Sequence, residues 1–169
     1  SDSWGILFSH PKDFTPVCTT ELGYMAKIEE EFKSRNCKII GLSVDGLDDH
    51  ENWKKDIEET QGAKVNYPMI SDENLEIAKL YNMLPSEEVN DGKRTAMTNA
   101  TVRSIFLIDP EKKIRMMLTY PMTTGRNFDE IIRSIINYIE DKIKIQEYFD
   151  QIKKIDFDGA HQSAQILLK

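Results

Sequence analysis

Cysteine is scarce: the chain has two, Cys18 and Cys37. That is too few for the disulfide framework of a small secreted domain, and a reducing compartment such as the cytoplasm fits this usage better. No apolar run approaches the ~20 residues needed to cross a bilayer, so integral membrane association is not expected. Positive charge is also short, with 22 Lys and Arg against 29 Asp and Glu and a net charge of −7. That balance argues against nucleic acid or an anionic membrane as the main partner, since both call for a basic face. Histidine occurs only at positions 10, 50 and 161. Neither Cys-x-x-Cys nor a close His–His spacing is present, so no metal site is expected. There is no internal repeat and no low-complexity segment. The chain opens at Ser1 without a Met, which leaves an upstream targeting segment open.

What is present suits one soluble domain: 169 residues, 40% of them apolar and 30% charged, are enough to bury a sizeable core. Trp4-Gly5-Ile6-Leu7-Phe8-Ser9 is nearly all apolar, the pattern of a strand buried on both faces. A loop from His10 to Phe14 follows. Thr15-Pro16 reads as a helix start, Thr15 as N-cap and Pro16 at the first helical position. Leu22, Met25, Ile28 and Phe32 extend an apolar stripe to about Ser34. Cys37 to Asp45 reads as a second strand. Asp48 or Asp49 is expected to cap a helix through Trp53 and Ile57 that Gly62 closes. Tyr67 to Ser71 reads as a short strand, Asn74 to Tyr81 as a short helix, and Pro85 to Lys93 as a polar loop. Val102 to Ile108 is a strong strand. An Asp109-Pro110 turn sends Ile114 to Thr119 back antiparallel to it. Asn127, with Glu130 three residues on, caps a last amphipathic pattern that runs on toward Gly159, as one helix or two. Alternating strands and helices with a hairpin imply an α/β layer structure.

If Thr15 is the N-cap, Cys18 is the third helical residue, among N–H groups that lack partners and carry partial positive charge. Cysteines placed there tend to be thiolates and reactive. The strand that ends just before puts this turn at the carboxyl edge of the sheet, where α/β proteins keep their sites. Cys37, followed by Ile39, Ile40 and Leu42, reads as a buried core thiol.

The run Pro11-Lys12-Asp13-Phe14-Thr15-Pro16-Val17-Cys18 resembles the peroxiredoxin active-site pattern. The wider run from Asp2 to Gly23 resembles the one-cysteine, peroxiredoxin-6-type subfamily. So do Leu42-Ser43-Val44-Asp45, Asp49-His50 with Trp53, and Tyr120-Pro121 followed by Thr123 to Glu130. The resemblance covers about residues 2–136. It implies a thioredoxin-like mixed central sheet flanked by helices, preceded in relatives by an N-terminal hairpin that this chain lacks. It divides the chain into a peroxidase domain, 1–140, and a divergent helical extension, 141–169.

The resemblance implies a thiol-dependent peroxidase that reduces hydrogen peroxide and organic hydroperoxides. Cys18 matches the peroxidatic cysteine. Thr15 matches the hydroxyl that bonds peroxide and thiolate, Arg103 the guanidinium that stabilises the thiolate and the leaving oxygen, and Pro11 the shield from bulk water. Glu21 matches the carboxylate that orients the arginines, Arg126 a second, outer arginine, and His10 a subgroup marker beside the site. The resemblance implies no cofactor; no second catalytic cysteine matches, so an external thiol such as glutathione or a protein thiol is expected to recycle the enzyme. A homodimer is implied as well. Two other readings stay open: a redox-sensing binding or holdase module resting on the apolar tail helix, and an acyl hydrolase through Ser3, whose partner acid would match Glu111.

Overall fold

The computed structural model describes residues 2–85 and 100–153. The expected polar loop after Pro85 and the end of the tail pattern, with Gly159, lie outside these residues. The chain divides into two compact units, Ser1–Ile132 and Arg133–Lys169.

The first unit is built on a five-stranded sheet. Its strands are β1 (Trp4–Ser9), β2 (Cys37–Ser43), β3 (Met69–Ser71), β4 (Arg103–Ile108) and β5 (Ile114–Tyr120), in the order β3-β2-β1-β4-β5. β1 runs parallel to β2 and antiparallel to β4, so the sheet is mixed, as expected. The helices are α1 (Pro16–Lys27), α2 (Glu29–Lys33), α3 (Leu47–Gln61) and α4 (Glu76–Leu80), with α5 (Phe128–Lys153) after β5.

β1 is central, and its side chains alternate between two buried faces. Leu7 lies opposite Phe106, and with Leu42, Leu75, Ala78 and Met83 they form one core cluster. The alternate residues Ile6 and Phe8 pair with Leu107 and Ile105 and are buried on the other face, where Tyr67 meets Phe8 edge-on at 5.8 Å. Gly23 lets α1 approach α3 closely: a Cβ there would stand 2.6 Å from the Gln61 side chain.

Several local expectations need correction. The first helix does not run to Ser34: it stops at Lys27, turns at Ile28 (φ −103°, ψ 5°) and restarts as α2. The break puts Glu29, Glu30 and Glu31 in the first turn of a new helix, where the dipole favours them, instead of near the end of the old one. Thr15 occupies the N-cap position with Pro16 behind it, but its side chain makes no capping bond. α3 starts at Leu47 on Gly46, so Asp48 and Asp49 sit in its first turn instead of capping it. Gly62 closes it in the left-handed conformation, φ 63°. α4 is shorter than expected. Asp72 holds its first amides, accepting from Ile77 N at 3.1 Å and Ala78 N at 2.7 Å.

α5 is one helix through Lys153, and Asn127 Oδ1 accepts from Glu130 N at 3.3 Å. In the second unit it exposes Ile143, Ile145, Tyr148 and Phe149. Among the described residues, no helix is long and apolar enough to cross a membrane.

Candidate active site

The end of β1 and the start of β4 are stitched together. Ser9 Oγ donates to Val102 O at 2.6 Å and accepts from Ser104 N at 3.0 Å. Because β1 and β4 are antiparallel, this places Arg103 beside the loop that leads from β1 into α1. That is how residues 85 positions apart meet: Arg103 Nη1 donates to Cys18 Sγ at 3.4 Å.

The guanidinium is held from two sides. Its Nε donates to Met122 O at 3.0 Å, and its Nη1 also donates to Glu21 Oε2 at 2.7 Å. Glu21 lies one turn beyond Cys18 on α1, so one helix face presents both groups. The same carboxylate accepts from Arg126 through Nη2 (2.8 Å), Nε (3.2 Å) and the backbone N (2.8 Å). Arg126 Nη1 reaches back to the carbonyls of Ser9 (3.0 Å) and Ser104 (3.2 Å). Its guanidinium also lies over the rings of Phe8 (5.6 Å) and Phe128 (5.0 Å). Burial pulls Arg126 below its ordinary pKa, and Glu21 offsets part of that.

Cys18 itself has no exposed surface, Pro11 in the preceding loop is buried, and Thr15 is half-buried. Thr15 Oγ1 donates to Lys12 O at 3.1 Å. A hydroxyl that spends its proton this way keeps its lone pairs for an incoming O–H donor. The structure thus joins Cys18, Arg103, Glu21 and Arg126 in one hydrogen-bonded set. Arg126 is buried and bears on the site through Glu21.

The loop into α1 is anchored by His10 together with Asp13, Asp45 and His50, to which the sequence reading gave no separate role. Asp13 N donates to Asp45 Oδ2 at 2.9 Å. Asp13 Oδ1 faces His10 Nε2 at 2.7 Å, and Oδ2 faces His50 Nδ1 at 2.5 Å. These anchors hold Phe14 at φ 57°, a strained left-handed conformation for a bulky residue, just before the Cys18 helix. Burial raises the Asp13 carboxyl, but the bonds from His10 and His50 more than offset it and bring it down to about 2. Burial lowers His10 more than Asp13 raises it. For His50, burial lowers it, but Asp13, the Ile70 carbonyl and Asp45 together raise it by more. Burial also raises Asp45. The donor atoms of His10, Asp13 and His50 all lie within 4.8 Å of one another, a spacing that could hold a metal ion. His10 Nε2, both Asp13 oxygens and His50 Nδ1 are already paired with one another by direct N–H···O bonds, while His10 Nδ1 has no partner. One signal in the sequence marks His50: with Trp53 and Ile57 it continues the buried stripe of α3.

Cys37 is buried at the start of β2, and burial pushes its thiol up to about 12. Ser3 precedes β1 and Glu111 lies in the β4–β5 turn, paired with Arg115 at 3.5 Å. Gly5 pairs with Ile108, so both lie at the sheet edge opposite Cys18.

Comparison with known proteins agrees with this geometry. Residues 1–117 match the AhpC/TSA family. The chain is 52% identical over 145 residues to a 1-Cys peroxiredoxin of Dictyostelium discoideum, covering 85% of this chain and 57% of that protein. It is 50% identical over 141 residues to human peroxiredoxin-6, covering 80% and 61%. The chain therefore spans about three fifths of the length of these relatives. The crystal structure of a cysteine-to-serine mutant of Arenicola marina peroxiredoxin 6 superposes with a TM-score of 0.71 at 45% identity, over 80% of this chain and 60% of that one. A yeast mitochondrial 1-Cys peroxiredoxin, studied for thiol resolution via glutathione and thioredoxin systems, gives a TM-score of 0.71 at 46% identity, over 88% and 67%. With its mixed thioredoxin-like sheet and its single cysteine at the helix mouth, the chain belongs to the AhpC/TSA family, the peroxiredoxins, and is similar to their one-cysteine members.

Proposed function

We propose that the chain carries a thiol-dependent peroxidase activity with Cys18 as the nucleophile. One contact supports this most directly: the Cys18 sulfur accepts from Arg103 Nη1 at 3.4 Å inside a buried charged set. Two guanidinium groups face one carboxylate there, leaving one positive charge over. An anionic sulfur balances it, and uncompensated buried charge is costly.

The reaction then runs as a displacement. A sulfur lone pair of the thiolate attacks the terminal oxygen of the peroxide. The S–O bond forms as the O–O bond breaks, sulfur is oxidised by two electrons, and the alkoxide or hydroxide leaves and takes a proton from water. Arg103 stabilises charge as it moves from sulfur to the leaving oxygen. Thr15, its proton engaged with Lys12 O, accepts from the peroxide hydroxyl. Pro11 keeps bulk water off the thiolate.

The Cys18 sulfenic acid is next attacked by an external thiolate, glutathione or a protein thiol. The S–S bond of a mixed disulfide forms as the S–O bond breaks, and hydroxide leaves and takes a proton to become water. A second thiol frees the Cys18 thiol by forming a disulfide with the first. Excess peroxide takes the sulfenic acid on to sulfinic acid. Since Cys18 is fully buried, the first turn of α1 has to open for the reductant. A homodimer fits the sheet edge at β5, where Ile114 and Met117 are exposed.

The test is peroxide consumption with thiol in excess. Cys18→Ser should abolish it, and Cys37→Ser should keep most of it. Equal loss from both variants would replace this scheme with a disulfide mechanism.

A further inference from the structure

A thiol reaches the Cys18 sulfur through the first turn of α1, and that turn is held unevenly. Pro16 and Val17 are exposed, whereas Cys18 and Thr19 are buried. Beyond Thr19 the helix is fastened to the body of the fold. Tyr67 Oη donates to Leu22 O at 3.1 Å, Gly23 lies against the Gln61 side chain, and Glu21 accepts from Arg103 and Arg126.

The carbonyls of the first turn are held by two threonine hydroxyls in addition to the helix amides. Thr20 Oγ1 donates to Val17 O at 2.9 Å and Pro16 O at 3.1 Å. Thr19 Oγ1 donates to Thr15 O at 2.9 Å, beside Thr19 N on the same carbonyl at 2.9 Å. A hydroxyl bonded back one turn does little for a helix by itself and tends to bend it. Thr20 is exposed and stays in that position. Thr19 does not, because Trp53 Nε1 of α3 donates to its Oγ1 at 3.1 Å.

Trp53 is a firm anchor. It is fully buried, with the His10 ring 5.0 Å away and the Phe14 ring 6.3 Å away. An indole N–H can only donate, so it occupies a Thr19 lone pair and leaves the hydroxyl proton pointing at Thr15 O. The result is a relay from α3 through Thr19 to the residue that starts α1. Opening the turn carries Thr15 away and strands a buried hydroxyl proton whose direction Trp53 has fixed, a cost that an exposed hydroxyl does not meet.

We propose that Thr19 and Trp53 are positioning residues for the thiol step, their hydrogen bonds holding the first turn of α1 shut over Cys18 and so setting how often a thiol reaches the sulfur. The proposal rests on the peroxidase reading for its place in turnover. Peroxide needs the closed turn, with Thr15 and Arg103 beside the sulfur, and the reductant needs the open one. Cys18 is fully buried, so the open turn is the minor state. A modest rise in its population then increases thiol access in proportion and leaves peroxide oxidation almost unchanged.

The test uses the reduced full chain without peroxide. An aromatic disulfide reagent labels the cysteines, peptide masses assign the label to Cys18 or Cys37, and hydrogen peroxide oxidation is followed beside it in stopped flow. Thr19→Val keeps the shape but not the hydroxyl. It should speed Cys18 labelling about three- to tenfold, the scale of one neutral hydrogen bond, with little change in oxidation. Trp53→Phe breaks the relay from the other side and should speed labelling as well. Thr19→Ser restores the hydroxyl, and Thr20→Val removes one with no tie to α3, so both should label close to wild type. Wild-type labelling in Thr19→Val or Trp53→Phe would overturn the proposal. So would equal rises in Thr19→Val and Thr19→Ser, or in Thr19→Val and Thr20→Val. A parallel rise at Cys37 would also overturn it, since the whole fold would then have loosened. The expected labelling pattern in a wild type that peroxide does not oxidise would support the relay and remove the peroxidase reading.

Discussion

Cys18 and Cys37 are both free and both buried, at 0% and 4% exposure, yet their surroundings could hardly differ more. Cys37 opens an interior strand, its polar neighbour is the carbonyl of Lys38 at 4.0 Å, and burial pushes its thiol up to about 12. Cys18 is buried together with charge: Arg103 touches it, Glu21 and the Met122 carbonyl hold Arg103 in place, and Arg126 pairs with Glu21. Burial by itself therefore decides little about a thiol. What matters is whether the groups buried with it favour an anion.

The comparison can be broken most sharply at Arg103. Arg103→Gln makes the Cys18 surroundings resemble those of Cys37. The expected loss in the rate of Cys18 oxidation is ~10²–10³, the scale of removing one preorganised donor from developing charge. Arg103→Lys keeps the charge but loses the fork that serves sulfur, Glu21 and Met122 together, so it should fall between Gln and wild type. Stopped-flow peroxide kinetics would rank the three, and a Lys variant no better than Gln would shift the weight from charge to geometry.

Glu21 is the next point of attack. Glu21→Gln leaves two buried guanidinium groups facing a neutral amide, which should cost about 3–5 kcal/mol in denaturant unfolding. The matching change at Cys37, Cys37→Ala, removes no charge and should cost far less. Similar losses from both would mean that the charged set contributes no more to the fold than ordinary packing.

A smaller effect separates the two regions by pH. Asp13 is held near 2 in the fold against an ordinary 3.8, so its contribution is present above 3.8 and is lost as pH falls toward 2. His50 is raised above 6.5, so its contribution is present below 6.5 and is lost as pH climbs through its native value. His10 is lowered and acts the other way, costing stability below 6.5. Unfolding midpoints across pH should show the acid loss in wild type and a weaker one in Asp13→Asn. An identical acid limb in both would remove Asp13 from the account.

Much of this was legible in the sequence, because it depends on local pattern. The apolar run of β1, the Thr15-Pro16 helix start and the Asp109-Pro110 hairpin each announce themselves within a few residues. The Ile28 break was not legible, since the apolar stripe from Leu22 to Phe32 passes straight through it and only the charge of Glu29 to Glu31 argues for a restart. The cap expected of Asp48 or Asp49 falls at Gly46 instead, because acids near a helix start can cap it or sit in its first turn. The contact of Arg103 with Cys18 depends on strand order, which no local spacing encodes; resemblance to a family pointed to it, and the β1–β4 register accounts for it. The Asp13–His50 bond was missed for the same reason: it joins a loop to a helix 37 positions on.

The most direct measurement is intact-mass analysis with a sulfenic-acid trap after one equivalent of hydrogen peroxide. The account predicts one oxygen, trapped at Cys18, with Cys37 untouched. A trap at Cys37, a Cys18–Cys37 disulfide or an unmodified Cys18 would contradict it.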